Sequence, residues 1–321
     1  MNRKSIFSCL ALLLTTSFLA SCVSTNQKVV FSSNWQADNT VQQNTLTESL
    51  EYEVTFEKAT SMQKDYTLDY QNGKYTTTLT TEQLDGRTIY SYETKLTIDV
   101  VYTFGQESAT FNDVVSSLVK FEKADKALRP ISSHKEVFSH SPENGGTALK
   151  DCYRFMNYTV DITYNEDYSG ETVITAKENE ENVESKYSFE MDTKKFTCLD
   201  NEQLLFALRG MNPTLSTSAK FNVYSPFVQA SQSVKTTFEA EKAIDFSFTK
   251  NGVAVKDTIQ YYPVSIVLNE KNSGSTQTAW IAKNTNIQSN TYRNVVLKLE
   301  TPIYYSLGSL VYTLKSANFA N

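Results

Sequence analysis

Apolar and polar residues alternate along most of the chain from Leu50 onward. A period of two is the side-chain period of a β-strand with one buried face, because successive side chains point to opposite faces. The longest alternating run places on one face Tyr90, Tyr92, Thr94, Leu96, Ile98, Val100, Tyr102 and Phe104. Since this run of fifteen residues is long for a strand, it predicts a strand that bends or crosses a strongly curved sheet.

Short turn signals separate the alternating runs. Asn72-Gly73, Asp85-Gly86 and Asn251-Gly252 each predict a tight hairpin, because these residues tolerate positive φ. The mostly acidic stretch 178–184 predicts a solvated loop, and residues 114–121 fit either a strand or a short helix. Together, the runs and turns predict an all-β, mainly antiparallel fold with one large curled sheet, arranged as a half-barrel or as two layers.

One stretch, residues 200–211, breaks the alternation. Asp200 is a typical N-cap, with Gln203 three residues later in the capping-box position. Apolar residues then recur at helical spacing, and they are Leu204, Leu205, Leu208 and Met211. Gly210 predicts the end of the helix. We therefore expect one short helix packed across the concave face of the sheet, between two sheet halves that meet near residues 199–213.

The N-terminus carries the clearest motif. Residues 1–21 combine Arg3 and Lys4 with an apolar run that ends in small residues, which is typical of a secretory signal peptide. The cut would fall before a cysteine, and Leu19-Ala20-Ser21-Cys22 resembles the lipobox of bacterial lipoproteins. The resemblance implies that Cys22 receives a diacylglyceryl group and that the new N-terminus is acylated again, as with palmitate. The alternative is an ordinary signal peptide followed by a chance cysteine.

This motif predicts the domain organisation. Residues 1–21 form a lipoprotein signal peptide, residues 22–48 a lipidated N-terminus and flexible tether rich in Ser, Thr, Asn and Gln, and residues 49–321 a β-rich body. Two or three acyl chains give stable anchoring. We therefore expect the body in the cell envelope, outside the cytoplasm. Val23 replaces the Asp that often retains lipoproteins on the inner membrane, which favours the outer membrane in a host that has one.

The charge of the mature chain limits its partners. Residues 1–21 hold two of the 30 Lys and Arg and none of the 36 Asp and Glu, so the mature chain has a formal net charge of −8. This mildly acidic balance argues against nucleic acid or an anionic lipid surface as an electrostatic partner. The body has no second apolar run near the ~18 residues of a membrane helix.

Few residues suggest reactive chemistry. Cys152 and Cys198 could form one disulfide in an exported protein, or could both be buried thiols. His134 and His140 flank Glu136, so a metal site is conceivable, but solvated loop histidines are the favoured interpretation. The sequence has no common catalytic motif, so we predict no enzymatic activity, no cofactor and no metal.

The aromatic residues of the body suggest a ligand. Residues that could line a concave pocket for an acyl chain or a glycan are Tyr90, Tyr92, Tyr102, Phe104 and Trp280. The alternative is that they form an ordinary core face, since large aromatic side chains are usually buried. One short helix covers little of a large curled sheet, and this mismatch favours a ligand.

A second resemblance covers residues 50–316. Its motifs are Leu128-Arg129-Pro130, the stretch Asp200 to Arg209, Thr278-Ala279-Trp280-Ile281, Arg293 and Leu307-Gly308-Ser309-Leu310. In this order they resemble a family of exported bacterial β-proteins classed as a domain of unknown function. The chain departs from that pattern at Lys283 and Asn284, where an acidic residue is expected.

These observations predict a non-catalytic, membrane-anchored envelope lipoprotein that binds an apolar or amphipathic ligand on its concave face. Two alternatives stay open. One is a structural or adhesin-like scaffold that meets protein partners through exposed β edges. The other is a glycan-binding or glycan-processing protein, because paired carboxylates that act on sugars meet only in space.

Overall fold

A computed structural model describes residues 48–60, 65–124, 127–178, 181–194, 196–211, 218–268, 276–283 and 292–320. The predicted signal peptide, Cys22 and all but the last residue of the predicted tether lie outside these ranges. The described chain forms sixteen strands in one sheet and one short α-helix, which confirms the predicted all-β class. In chain order the strands are β1 (Glu48–Lys58), β2 (Thr67–Leu84), β3 (Arg87–Phe104), β4 (Glu107–Ala124), β5 (Ala127–Pro142), β6 (Tyr153–Tyr164), β7 (Gly170–Glu178), β8 (Glu181–Phe189), β9 (Thr197–Asp200), β10 (Ser218–Ser225), β11 (Ala230–Phe238), β12 (Lys242–Lys250), β13 (Val253–Leu268), β14 (Thr276–Ala282), β15 (Val296–Pro302) and β16 (Gly308–Phe319).

The first eight strands form an antiparallel meander in which each strand pairs with the next. Strand β1 also pairs with the last strand, β16, so the two ends of the described chain meet in the middle of the sheet. Beyond β16 the order continues through β15, β14 and β13 to β11, β10 and β9. Since only the β9–β10 and β12–β16 pairs are parallel, the sheet is mainly antiparallel, as predicted.

Strand β13 serves two neighbours on one side, because it is sixteen residues long. Its first half pairs with β12 and its second half with β11. Strand β12 also makes a short parallel pair with β16 at Thr249 and Lys250. Strands β12 to β16 therefore close into a small five-stranded barrel beside the open, curled meander.

The far end of the sheet curls back onto the inner face of the meander. The Asp200 carboxylate at the end of β9 accepts hydrogen bonds from Ser133 on β5 and Tyr164 on β6. On β10, the Tyr224 hydroxyl pairs with Thr172 of β7 at 2.7 Å. A small apolar cluster lies beneath this seam and includes Val160, Ile162, Tyr164, Phe189, Met191, Cys198 and Tyr224. The curled sheet is thus closed by side chains rather than by a backbone ladder.

A single helix fills the main concave face. A 3-10 turn, Asn201–Gln203, leads into α1, Leu204–Arg209. The predicted capping box is present, with Glu202 N–H donating to the Asp200 side chain and Asp200 N–H donating to Gln203 Oε1. Phe206 on α1 is fully buried and packs against Tyr90, Tyr92 and Phe121. The helix therefore lies where the sequence predicted it, across the concave face.

A buried ion pair fixes the C-terminal end of α1. The Arg209 guanidinium makes a two-point contact with the Glu48 carboxylate at 2.7 and 2.8 Å. It also donates to the backbone carbonyls of Arg293 and Asn294. Arg209 is 3% exposed and Glu48 is 2% exposed. This contact, the Arg209–Glu48 latch, joins the helix to the first residue of β1 and to the turn before β15.

Two of the three predicted hairpins are confirmed. Asp85 and Gly86 both have positive φ and join β2 to β3, and Asn251-Gly252 joins β12 to β13 in the same way. The prediction for Asn72-Gly73 is wrong, because β2 runs through it with only a β-bulge. Strand β1 lies directly alongside, and a Cβ on Gly73 would come within 2.5 Å of the Val54 carbonyl oxygen. Glycine at position 73 thus allows the backbones of β1 and β2 to approach closely in the middle of the strand.

The structure decides one open alternative and corrects two further interpretations. Residues 114–121 belong to β4, because they pair with both β3 and β5. Most of the acidic stretch 178–184 is strand, since β7 and β8 form an exposed hairpin there that needs no apolar face. His134 and His140 lie in β5 and not in a loop. The His140 ring is buried, its Nδ1 is hydrogen-bonded to Asp113 Oδ1 at 2.8 Å, and the ring stacks on Phe111.

Candidate functional site

The seam where the curled sheet closes contains a crevice of about 100 Å³. Four parts of the fold meet there: β5, β6, the junction between β9 and α1, and the turn between β10 and β11. Their lining residues are Ser133, Lys135, Val160, Ile162, Asp200, Asn201, Glu202, Ser225, Pro226 and Phe227. Charged groups line one part of the crevice and apolar groups the other, so its chemistry is amphipathic.

Asp200 holds the base of the crevice together. It is 1% exposed, and its Oδ2 accepts from the Ser133 and Tyr164 hydroxyls at 2.7 and 2.6 Å. Its Oδ1 accepts from Glu202 N–H at 2.8 Å. Burial raises the pKa of Asp200, although the hydrogen bonds from Tyr164 and Ser133 oppose that shift. With three donors already directed at it, this carboxylate positions the β9–α1 junction against β5 and β6.

Lys135 and Glu202 form the charged side of the crevice. The Lys135 Nζ donates to Glu202 Oε1 at 2.7 Å, and both side chains are half-buried. Burial raises the pKa of Glu202, but the charge of Lys135 and the hydrogen bonds from Lys135, Asn201 and Ser117 together outweigh burial, so the net pKa is lowered. Burial likewise opposes the charge of Lys135, and Glu202 raises its pKa above the usual value. Both groups are therefore charged at neutral pH and face the crevice as a matched donor and acceptor.

Aromatic side chains form the apolar rim. Phe227, in the turn between β10 and β11, is 59% exposed and meets the Tyr158 ring edge-on at 5.3 Å. Burial raises the pKa of Tyr158. The charge of Lys135 lowers this pKa, whereas Glu202 and Tyr304 raise it further. Tyr304 itself is 77% exposed. Exposed aromatic surface thus lies beside a charged pair, an arrangement suited to a ligand with both polar and apolar faces.

The size of the crevice limits what it can enclose. Its volume of about 100 Å³ corresponds to roughly three liquid waters. Pockets that engulf whole drug-sized ligands usually measure about 300–1,000 Å³. The crevice can therefore take the end group of a larger molecule but not a whole acyl chain.

The predicted ligand face lies elsewhere, inside the core. Tyr90, Tyr92 and Tyr102 are each at most 5% exposed. The Tyr102 hydroxyl donates to the His140 carbonyl, and Tyr90 stacks on Phe121. These three side chains therefore pack against the protein itself, as in the alternative interpretation of the sequence.

The other two residues of the predicted face lie apart from these three. Phe104 is half-buried at the end of β3. Trp280 is half-buried on β14 of the small barrel, where it stacks on Tyr261 at 4.9 Å and has the Lys298 ammonium over its ring. The five residues therefore do not line one common pocket.

Cys152 and Cys198 are both buried thiols, which corresponds to the second of the two sequence-based alternatives. They belong to different apolar clusters, Cys152 to the main core and Cys198 to the small cluster under the seam. The Cys152 thiol donates to the Ala148 carbonyl, and the Cys198 thiol to the Asp192 carbonyl.

Two kinds of site are absent from the described ranges. Within them, no group of three or more His, Cys, Asp or Glu side chains is arranged to hold a metal ion. Likewise, none of the helices in that part of the chain has the length and apolar character needed to cross a membrane.

The fold and the crevice together define the class: an all-β protein built on one curled sheet, with an amphipathic crevice at the seam. No family model matches the chain, and no curated protein matches its sequence. Among solved structures, it is similar to the crystal structure of a β-barrel-like protein of the domain of unknown function DUF1849 from Brucella abortus. That comparison has a TM-score of 0.49 and 10% sequence identity, and it covers 87% of this chain and 99% of the other.

Sequence reasoning flagged Asp200 only as a helix cap and did not flag Lys135, Glu202, Phe227 or Tyr158. These residues lie on separate elements of the chain and meet only when the sheet closes. The only local signal was the capping box itself, which places Glu202 two residues after the cap.

Proposed function

We propose that the protein is a lipid-anchored envelope protein whose body binds an amphipathic ligand at the seam crevice, without catalysis. The observation that carries the proposal is the pairing of Lys135 and Glu202 beside the exposed ring of Phe227. A ligand with a polar and an apolar face would satisfy both sides of the crevice. The concave face is a poorer candidate, because α1 and the tyrosines of β3 occupy it.

The anchor rests on the lipobox at residues 19–22. Strand β1 begins at Glu48, the last residue of the predicted tether 22–48, so that tether would separate the β-rich body from the membrane. We expect Cys22→Ser to abolish incorporation of radiolabelled palmitate and to release correctly processed protein to the soluble fraction. Precursor size must be read on the same gel, because an uncut signal peptide would also hold the variant to the membrane. Membrane retention of the processed variant would contradict the lipid anchor.

The absence of catalysis is proposed from the state of the two carboxylates. Asp200 is buried and already accepts three hydrogen bonds that hold it in the fold, so it is poorly placed to act on a substrate. Glu202 is ion-paired with Lys135, which lowers its pKa and so makes it a weak base. A binding role needs only that Glu202 and Lys135 remain charged and paired. Robust turnover in an unbiased hydrolase screen would contradict the proposal.

Ligand binding can be tested with two amphipathic probes below their critical micelle concentrations, octyl glucoside and dihexanoyl phosphatidylcholine. Saturation-transfer NMR and calorimetry on the mature chain carrying Cys22→Ser measure affinity. Phe227→Ala removes the exposed ring of the rim without opening the core. Leu84→Ala is the matched control, because Leu84 is similarly exposed and does not line the crevice.

We expect at least one probe to bind, Phe227→Ala to weaken that binding about tenfold, and Leu84→Ala to leave it unchanged. If neither probe binds, or if Phe227→Ala binds as the parent does, the crevice is not the ligand site.

A further inference from the structure

Three surfaces outside the core are candidates for ligand or partner binding. The exposed rings of Phe138 and Phe155 lie against His140, whose ring is already paired with Asp113. Nothing in the structure indicates what would cover the edge of β8. The seam crevice combines a cavity, a charge pair and an aromatic wall. We propose that the group held in this crevice is a sugar ring, so that the ligand is a glycan bound by a terminal unit. This inference rests on the proposed function and specifies its ligand.

The charge of the crevice selects a neutral ligand. Lys135 and Glu202 compensate one another at 2.7 Å. Asp200 lies directly behind them, so an anionic group such as a phosphate would approach two carboxylates and a single ammonium. A cationic group would have to compete with Lys135 for Glu202. A neutral polar group avoids both penalties.

The donor and acceptor pattern fits neighbouring hydroxyl groups. An ammonium has three N–H donors, and Glu202 accepts one of those of Lys135. A carboxylate has about four acceptor sites. Glu202 Oε1 accepts from Lys135 and from the Asn201 side chain, and the Ser117 side chain also hydrogen-bonds to this carboxylate, so about one acceptor site is left for a ligand. A hydroxyl both donates and accepts, so two adjacent hydroxyls can bind an ammonium and a carboxylate together. Hydrogen bonds to such charged groups are the strong ones.

The apolar side of the crevice fits the C–H face of a sugar ring. The negative face of an aromatic ring attracts weakly positive C–H groups. Phe227 offers such a face beside Tyr158 and, being 59% exposed, leaves it open to solvent. Pro226 and Ile162 continue the apolar wall. A pyranose ring presents hydroxyls at its edge and C–H groups on its face, which corresponds to the two sides of the crevice.

The volume limits the ligand to one ring at a time. A crevice of about 100 Å³ that opens to solvent can hold the edge of one sugar, while further units would extend outward into solvent. The site therefore recognises the end of a glycan or a single branching sugar. It does not enclose several units of a chain.

The test uses methyl glycosides of glucose, galactose, mannose and N-acetylglucosamine, with dihexanoyl phosphatidylcholine as the non-sugar probe. Saturation-transfer NMR on the mature chain carrying Cys22→Ser reports which probe protons contact the protein. We expect at least one glycoside to bind, with its C–H face saturated more strongly than its methyl group. Phe227→Ala should weaken binding about tenfold and Glu202→Gln at least fivefold. Leu84→Ala should leave it unchanged.

The outcomes separate this inference from the proposed function. If the phospholipid binds in a Phe227-dependent manner and all four glycosides fail, the crevice is a binding site but not a sugar site. If no probe binds, both proposals fall. A glycoside that binds equally well to Phe227→Ala and Glu202→Gln would bind elsewhere and would overturn the assignment. Because Phe227 is exposed, loss of binding in Phe227→Ala with an unchanged thermal midpoint cannot be attributed to unfolding.

Discussion

The Arg209–Glu48 latch should contribute strongly to the stability of the body. The two charged groups are almost completely buried, and the guanidinium also donates to two backbone carbonyls. At an effective dielectric constant of about 20, unit charges about 4 Å apart interact by about 4 kcal/mol. Removal of one partner from a buried ion pair costs about 3–5 kcal/mol, because the other charge is left buried without compensation. We therefore expect Arg209→Met to lower the free energy of unfolding by about 3–5 kcal/mol.

Urea denaturation of the mature chain carrying Cys22→Ser measures this loss. With an m-value of about 3 kcal/mol/M, the midpoint should fall by about 1 M or more. Glu53→Gln is the matched control, because Glu53 lies on the same strand and pairs with Lys315 at 2.7 Å on the surface. Exposed pairs contribute less than about 1 kcal/mol, so this control should move the midpoint little.

The double variant Glu48→Met/Arg209→Met distinguishes the buried charge from lost packing. Since no charge then remains buried, the double variant should recover at least about half of the loss seen in Arg209→Met. Two results would refute the reasoning. One is an Arg209→Met loss no larger than that of Glu53→Gln, and the other is a double variant that is less stable than either single one.

Three further outcomes are expected. Alkylation without reductant should label both Cys152 and Cys198 after denaturation but neither in the native protein. Both are buried thiols, and burial raises the pKa of Cys152. Absence of labelling after denaturation would indicate a disulfide. Burial opposes the charge of His134, yet the hydrogen bond to Asp161 raises the pKa of this histidine above 6.5. The protonated ring therefore stabilises the fold fully below pH 6.5, and this stabilisation is lost as the pH rises through the raised pKa. His134→Gln should thus cost less than about 1 kcal/mol near pH 5.5 and nothing near pH 9; equal losses at both pH values would contradict this. Phe206→Ala should cost about 3–5 kcal/mol in the same urea assay, because the ring is fully buried, and a loss under 1 kcal/mol would show that α1 does not fill the concave face.

Local signals in the sequence predicted local structure well. The alternation from Tyr90 to Phe104 became the eighteen-residue strand β3. The capping box at Asp200 and the leucine spacing after it became the 3-10 turn and α1. These features depend on neighbours within a few residues, so the sequence pattern contains them.

Features that depend on a third element were not predictable in the same way. Asn72-Gly73 carries the same turn chemistry as Asp85-Gly86, yet it lies in mid-strand because β1 packs against Gly73. The role of Tyr90 and Tyr92 changed for a related reason. Alternation shows that they share a face, but only the position of Phe206 shows that the face is covered.

The crevice was beyond local reasoning altogether. Lys135 and Glu202 are 67 residues apart, and Lys135 lies on β5 whereas Glu202 follows β9, the strand at the far end of the sheet order. Neither residue is unusual in its own segment, since a lysine in an alternating strand and a glutamate in a first helical turn are both ordinary. Their pairing depends on how far the sheet curls. That curvature is set by bulges and side-chain packing along the whole meander.

The apolar–polar alternation breaks at residues 200–211 because this segment contains the 3-10 turn and α1. A strand directs its side chains to two faces, whereas a helix directs them all around its axis. In this short segment Asp200 binds β5 and β6, Phe206 fills the concave face, and Arg209 binds the first residue of β1. The segment therefore connects the crevice to the point where the proposed tether joins the body.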